Sequence, residues 1–158
     1  MDQNYFNVGI QPVGEIDQIF LKAVAGSFLE ELGVRTHLLP VLEHPHYAFD
    51  KRRIQYNAGF IIKKLEAMEF SGITKVIALV DADLFIPVFS FVLGEARMGG
   101  RCALVSLARL KQDPTRTVKV AMHEFGHLMN FGHCMEEGCV MNFSKNIERL
   151  DMVSTGFC

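Results

Sequence analysis

The chain has 158 residues, about the size of one domain with a core of its own. Its apolar fraction of 49% and charged fraction of 22% are those of a soluble globular protein, and a net charge of −2 gives no general pull toward nucleic acid or anionic lipid. No apolar run reaches the roughly 18 residues of a membrane span; the best candidate, Phe85 to Leu93, is strand-sized and contains Pro87.

The N-terminus, Met1-Asp2-Gln3-Asn4, lacks the basic and apolar regions of a signal peptide. A cytoplasmic location is therefore expected, with the four cysteines reduced and available to a metal. Tyr5 to Val13 alternates loosely and predicts a first strand. From Glu15 the apolar residues Ile16, Ile19, Phe20, Ala23, Val24, Phe28 and Leu32 keep helical spacing, and Gly33 is a natural stop. Val34 to Leu39 reads as a second strand closed by Pro40, followed by a polar loop with His44-Pro45-His46. The spacing of Ile54, Ala58, Ile61, Ile62 and Leu65 predicts a helix from Lys51 to about Met68. Lys75 to Val80 is apolar and β-rich, the mark of a central strand. Asp81 to Phe85 is expected to turn, Val88 to Gly94 to form a strand, Arg97 to Gly100 to turn, and Cys102 to Leu107 to form a further strand. Asp113-Pro114 is a helix start, because Asp caps free N–H groups and Pro suits the first turn. Strands alternating with helices predict an α/β fold with a twisted, mostly parallel sheet. After about Asn130 the sequence suggests irregular structure and one helix. One domain, 1–158, is expected, divided into an upper part, 1–132, and a small C-terminal part, 133–158, with a metal between them.

The last predicted helix of the upper part carries His123-Glu124-Phe125-Gly126-His127. Histidines four apart lie on one helical face, about one turn apart, where two imidazoles can hold one zinc ion. Glu124 beside them can serve the metal's water as general base. His133 cannot continue that face, so the helix must stop and the backbone swing back. Asn130 and Gly132 allow this, since both tolerate positive φ. Three neutral nitrogen ligands then leave one tetrahedral position open, which marks catalytic zinc.

This arrangement resembles the metzincin zinc proteases, with Asn130 where that family usually has glycine, followed by Met141 at the position of their Met-turn methionine. His133-Cys134 and Cys139-Val140-Met141 are similar to the archaemetzincin branch, as are the segments Arg52-Arg53-Ile54-Gln55-Tyr56-Asn57 and Phe91-Val92-Leu93-Gly94-Glu95-Ala96 with Gly99-Gly100. The resemblance implies a metzincin-like zincin fold with backing and active-site helices. It also implies that Met141 packs under the metal and that Cys134, Cys139 and Cys158 hold a second, structural zinc. Cys158 matches the first cysteine of the family's terminal pair; the second has no counterpart, so a fourth ligand is unassigned. Cys102 reads as a buried small hydrophobe rather than that ligand.

Other polar residues have plainer readings: His37, His44 and His46 as loop or surface histidines, and Arg52 and Arg53 as a solvated helix face. Asp81, Asp83 and Glu95 look like a carboxylate cluster, yet turn and strand-end roles explain them as well. The expected activity is peptide-bond hydrolysis by a metal-activated water with Glu124 as base. The substrate is expected to be a peptide or polypeptide, lying as an added antiparallel strand along an upper rim formed by Cys102 to Leu107. A monomer with no nucleic-acid or membrane partner is expected. Two alternatives remain at this point: a zinc amidase acting on a small substrate, and a non-catalytic zinc-binding module.

Overall fold

The structure is a computed structural model that describes residues 6–158; the predicted strand residue Tyr5 lies outside them. In chain order the elements are β1 (Val8–Val13), α1 (Gln18–Leu32), β2 (Thr36–Leu38), a single 3-10 turn (His46–Ala48), β3 (Phe49–Asp50), β4 (Gln55–Asn57) and α2 (Ala58–Glu66). They continue with β5 (Lys75–Val80), β6 (Leu84–Phe85), β7 (Gly94–Ala96), β8 (Cys102–Ser106), α3 (Pro114–Leu128) and α4 (Ile147–Met152).

A five-stranded sheet in the order β2-β1-β5-β8-β7 organises the upper part. Its strands are parallel except for β7, which pairs antiparallel with β8. Both faces are buried, so β5 is apolar after Lys75 and β8 is apolar up to Ser106. Ile77, Leu79, Ala103 and Val105 join the core beneath α1 and α3, while Val76, Ala78, Val80, Cys102 and Leu104 face the core under α2. Gly33, in the left-handed region at φ 65°, ends α1 where the sequence predicts.

Four expectations need correction. Asp81 to Phe85, expected to turn, ends in a strand, because Leu84–Phe85 pairs with β4 as β6. The predicted helix from Lys51 begins only at Ala58. Asp50 Oδ1 accepts the amides of Arg52 and Arg53 at 2.9 and 3.1 Å, forming a local turn, and Ile54 then adopts φ 54°. Gln55–Asn57 becomes a strand between β3 and β6, leaving Ile54 75% exposed instead of in the buried stripe. The predicted strand from Val88 is mostly a turned segment, of which only Val92 bridges to Leu84, and the strand proper starts at Gly94. Finally, β8 cannot be the upper rim, because it pairs on both sides; the edge beside it is β7. Among the described residues no helix is long and apolar enough to cross a membrane.

Candidate metal centre

Helix α3 brings the first three site residues together. Asp113 caps it by accepting from the amides of Thr115 and Arg116 at 2.8 and 3.2 Å, and Pro114 occupies the first turn. Its other end closes as a Schellman turn: the Phe131 amide donates to Gly126 O at 2.9 Å and the Asn130 amide to His127 O at 3.0 Å. Asn130 carries the required left-handed conformation, φ 68°, as expected from the sequence. Gly99 packs against this turn so closely that a Cβ on it would lie 2.7 Å from Asn130 Oδ1.

The turn returns His133 to the face of His123 and His127, and ligand atoms of the three lie within 4.8 Å of one another. His123 Nδ1 lies 2.7 Å from Val140 O and His127 Nδ1 2.8 Å from Phe131 O. A carbonyl only accepts, so each Nδ1 carries the proton and each Nε2 is left with a bare lone pair. These two Nε2 atoms face one another at 3.1 Å. Two lone pairs at that distance repel unless a cation lies between them, so the donor set fits a metal ion that takes imidazole nitrogen. Burial holds His123 down at about 4, opposed by its Val140 hydrogen bond and aided by His127 and His133; burial and then His127 also lower His133. Both are neutral near pH 7, as ligands must be.

Glu124 is buried, and burial pushes its carboxyl well above the ordinary range, with the Glu95 carboxylate adding to the effect. It faces a pocket of about 330 Å³ lined by His123, Glu124, Gly94, Val120, Leu150 and the aromatic rings of Phe89, Phe91 and Phe143. Sequence reasoning missed this pocket, because its upper wall comes from the segment read as a strand. Met141 is buried directly under α3, where a Cβ on Gly126 would run into its Sδ.

Cys134, Cys139 and Cys158 form a second cluster, with sulfurs within 4.8 Å of one another. The Glu136 amide donates to Cys134 Sγ and the Met141 amide to Cys139 Sγ, each at 3.4 Å. Burial raises the Cys139 thiol, but hydrogen bonds with the amides of Met141 and Cys158 and the thiols of Cys158 and Cys134 together outweigh it and the net shift is downward, while hydrogen bonds to Cys139 and Cys134 push Cys158 up to about 12. Three sulfurs so placed make a donor set that fits a metal ion taking thiolate ligands. Cys102 stands apart, buried in β8, with its thiol pushed up to about 12 by burial, as its reading as a small hydrophobe requires.

The remaining polar residues divide. Among the described residues Asp81, Asp83 and Glu95 do not gather into a metal-binding group. Asp83 instead pairs with Arg109 through two bonds of 2.7 and 2.9 Å. His44 lies in a loop, as read from the sequence, and is half-buried with a bond to Tyr56 Oη at 2.8 Å. Arg53, read as solvated, has its guanidinium bound to the carbonyls of Phe89 and Ser90.

A model of peptidase family M54 matches residues 17–158. The archaemetzincin of Methanocaldococcus jannaschii is 34% identical over 160 residues, spanning 94% of this chain and 87% of that protein. Among solved structures, the archaemetzincin of Methanopyrus kandleri aligns with a TM-score of 0.88 at 32% identity, covering 99% of this chain and 91% of the other. The archaemetzincin of Archaeoglobus fulgidus, crystallised with malonate, aligns with a TM-score of 0.85 at 27% identity, covering 97% of this chain and 96% of that one.

Proposed function

The chain belongs to peptidase family M54, the archaemetzincin family of zinc metallopeptidases, and from that premise we propose that His123, His127 and His133 hold its zinc while Glu124 acts as general base. The observation that carries this reading is the pair of Nε2 lone pairs converging at 3.1 Å with both Nδ1 protons committed elsewhere. Zinc bound there supplies Lewis acidity, which polarises a peptide carbonyl and acidifies water. Glu124 takes the proton from the attacking water and returns it to the departing amine nitrogen. Its burial suits the step in which it holds the proton, because burial raises the carboxyl's affinity for one. The peptide lies along β7, the edge of the sheet beside α3, with one side chain in the pocket.

Cys134, Cys139 and Cys158 hold a second, structural zinc, which fastens the small part, 133–158, onto itself; together with the upper part, 1–132, it makes one catalytic domain. A reducing, cytoplasmic setting would keep these thiols available to the metal. The test is Glu124→Gln: zinc content should stay at the wild-type level while hydrolysis of an unstructured polypeptide is lost. Undiminished hydrolysis would remove Glu124 from the mechanism.

A further inference from the structure

The upper wall of the pocket beside Glu124 is a segment, 86–91, with little backbone pairing of its own. The Phe89 amide makes a local turn bond to Ile86 O, and regular pairing resumes only when the Val92 amide reaches Leu84 O. The segment is held from behind by two side chains, one from the turn that leads into β4 and one from the first residue of β4. Arg53 Nη2 donates to Phe89 O at 2.7 Å and to Ser90 O at 3.3 Å. Gln55 Nε2 donates to Ser90 O at 2.8 Å. The rings of Phe89 and Phe91, carried by this segment, face the pocket.

The two clamping residues are themselves fixed. Arg53 Nε donates to Gln55 Oε1 at 3.1 Å, and its guanidinium lies 4.0 Å from the centroid of the Phe85 ring. Gln55 is buried and also donates to Asp83 Oδ2 at 3.1 Å; Asp83 is locked by Arg109, whose guanidinium covers Phe91 at 3.9 Å. Between the two residues sits Ile54, a β-branched residue in the left-handed region at φ 54°. Such a conformation persists only where its surroundings over-determine it, and it tends to occur where a site needs it. Phe89 completes the wall by packing against Phe143, with ring centroids 6.2 Å apart.

We infer that Arg53 and Gln55 are positioning residues: they hold segment 86–91, with Phe89 seated against Phe143, as the wall of the pocket, and so make the pocket selective for a large apolar side chain next to the scissile bond. This rests on the reading of the histidine cluster as the zinc site. Neither residue touches the reacting atoms, so their effect should fall on side-chain selectivity rather than on the metal.

The test uses zinc-loaded full-length protein and two ligands without turnover, acetohydroxamate and 3-phenylpropanehydroxamate, titrated by calorimetry. The phenyl arm should improve affinity about tenfold in the wild type, from burial of one ring. In Arg53→Ala and in Gln55→Met that ratio should collapse toward about one, while Arg53→Lys should restore part of it, since an ammonium can reach one carbonyl but not fork two. An unchanged ratio in Arg53→Ala and Gln55→Met would overturn the inference, as would an equal loss of affinity for both ligands. If neither hydroxamate binds the wild type, the zinc reading itself has failed, and this inference falls with it.

Discussion

A Cβ built on Gly94 would lie 2.8 Å from Glu124 Cγ and 2.9 Å from its Oε1, so the edge strand β7 and the catalytic candidate fit only because that residue has no side chain. The same Cβ would meet Leu104 O at 2.8 Å, so the strand cannot yield toward β8. Gly94→Ala is therefore expected to displace Glu124. A shift of about 1 Å in a positioned base costs roughly a hundredfold in rate. Peptide hydrolysis by Gly94→Ala should fall by about that factor with zinc content unchanged. Wild-type turnover in this variant would show that Glu124 tolerates movement and is not the base.

Gly126 stands in a similar relation to Met141. A Cβ there would collide with Met141 Sδ and come within 3.0 Å of both Met141 Cε and Phe157 Cε1. Alanine in a helix interior gains about 1 kcal/mol over glycine, so the intrinsic effect of Gly126→Ala favours stability. Overpacking a tight core typically costs about 1–3 kcal/mol, and here it should win. Urea unfolding should show Gly126→Ala destabilised, and Gly126→Ala combined with Met141→Ala should lose less than the two single changes summed. Additive losses would mean that Met141 does not pack against this helix turn.

The histidine cluster and its helix were legible in the sequence because their determinants are local. The four-residue spacing fixes one face, Asp113-Pro114 starts α3, and Asn130 stops it. Central strand β5 is legible for the same reason, as a run buried on both faces. The segment 51–57 was not: the apolar spacing of Ile54 and Ala58 imitates a helix, whereas Asp50 caps a turn and Gln55–Asn57 finds partners in Leu84 and Phe85. The pocket wall escaped for a related reason. Its carbonyls bond to Arg53 and Gln55 side chains over thirty residues away in sequence, a tertiary arrangement that no local pattern encodes.

Metal counting separates the two clusters. Protein purified without added metal should hold about two zinc ions per chain, falling to about one in His127→Ala and to about one in Cys139→Ser, since each cluster supplies three ligands to its own ion. Elemental analysis of both variants and of their combination, expected to be metal-free, checks this. The cysteine variant should also unfold more readily than the histidine variant, because a structural zinc contributes folding energy outright. A wild type holding one zinc that survives His127→Ala would place the metal on the cysteines alone.

Helix α4 closes the pocket through Leu150 and is fastened to α3 by charge. Arg116 forks onto Asp151 through two bonds of 2.8 Å, and Lys119 Nζ donates to Leu150 O and Asp151 O at 3.3 and 3.4 Å. The Arg116 hydrogen bonds hold the Asp151 carboxyl below its ordinary value of 3.8; slight desolvation opposes them, and the charges of Arg116, Lys119 and Lys111 add to the lowering. A carboxyl whose folded pKa is depressed binds fewer protons than in the unfolded chain, so its contribution is fully present above about pH 4 and is lost as pH falls through the folded value. Asp151→Asn should therefore unfold at lower urea than wild type at pH 7, and the gap between the two should close as the pH drops below about 4. A gap that persists unchanged at pH 2 would mean that the side-chain amide disrupts packing rather than removing a charge pair.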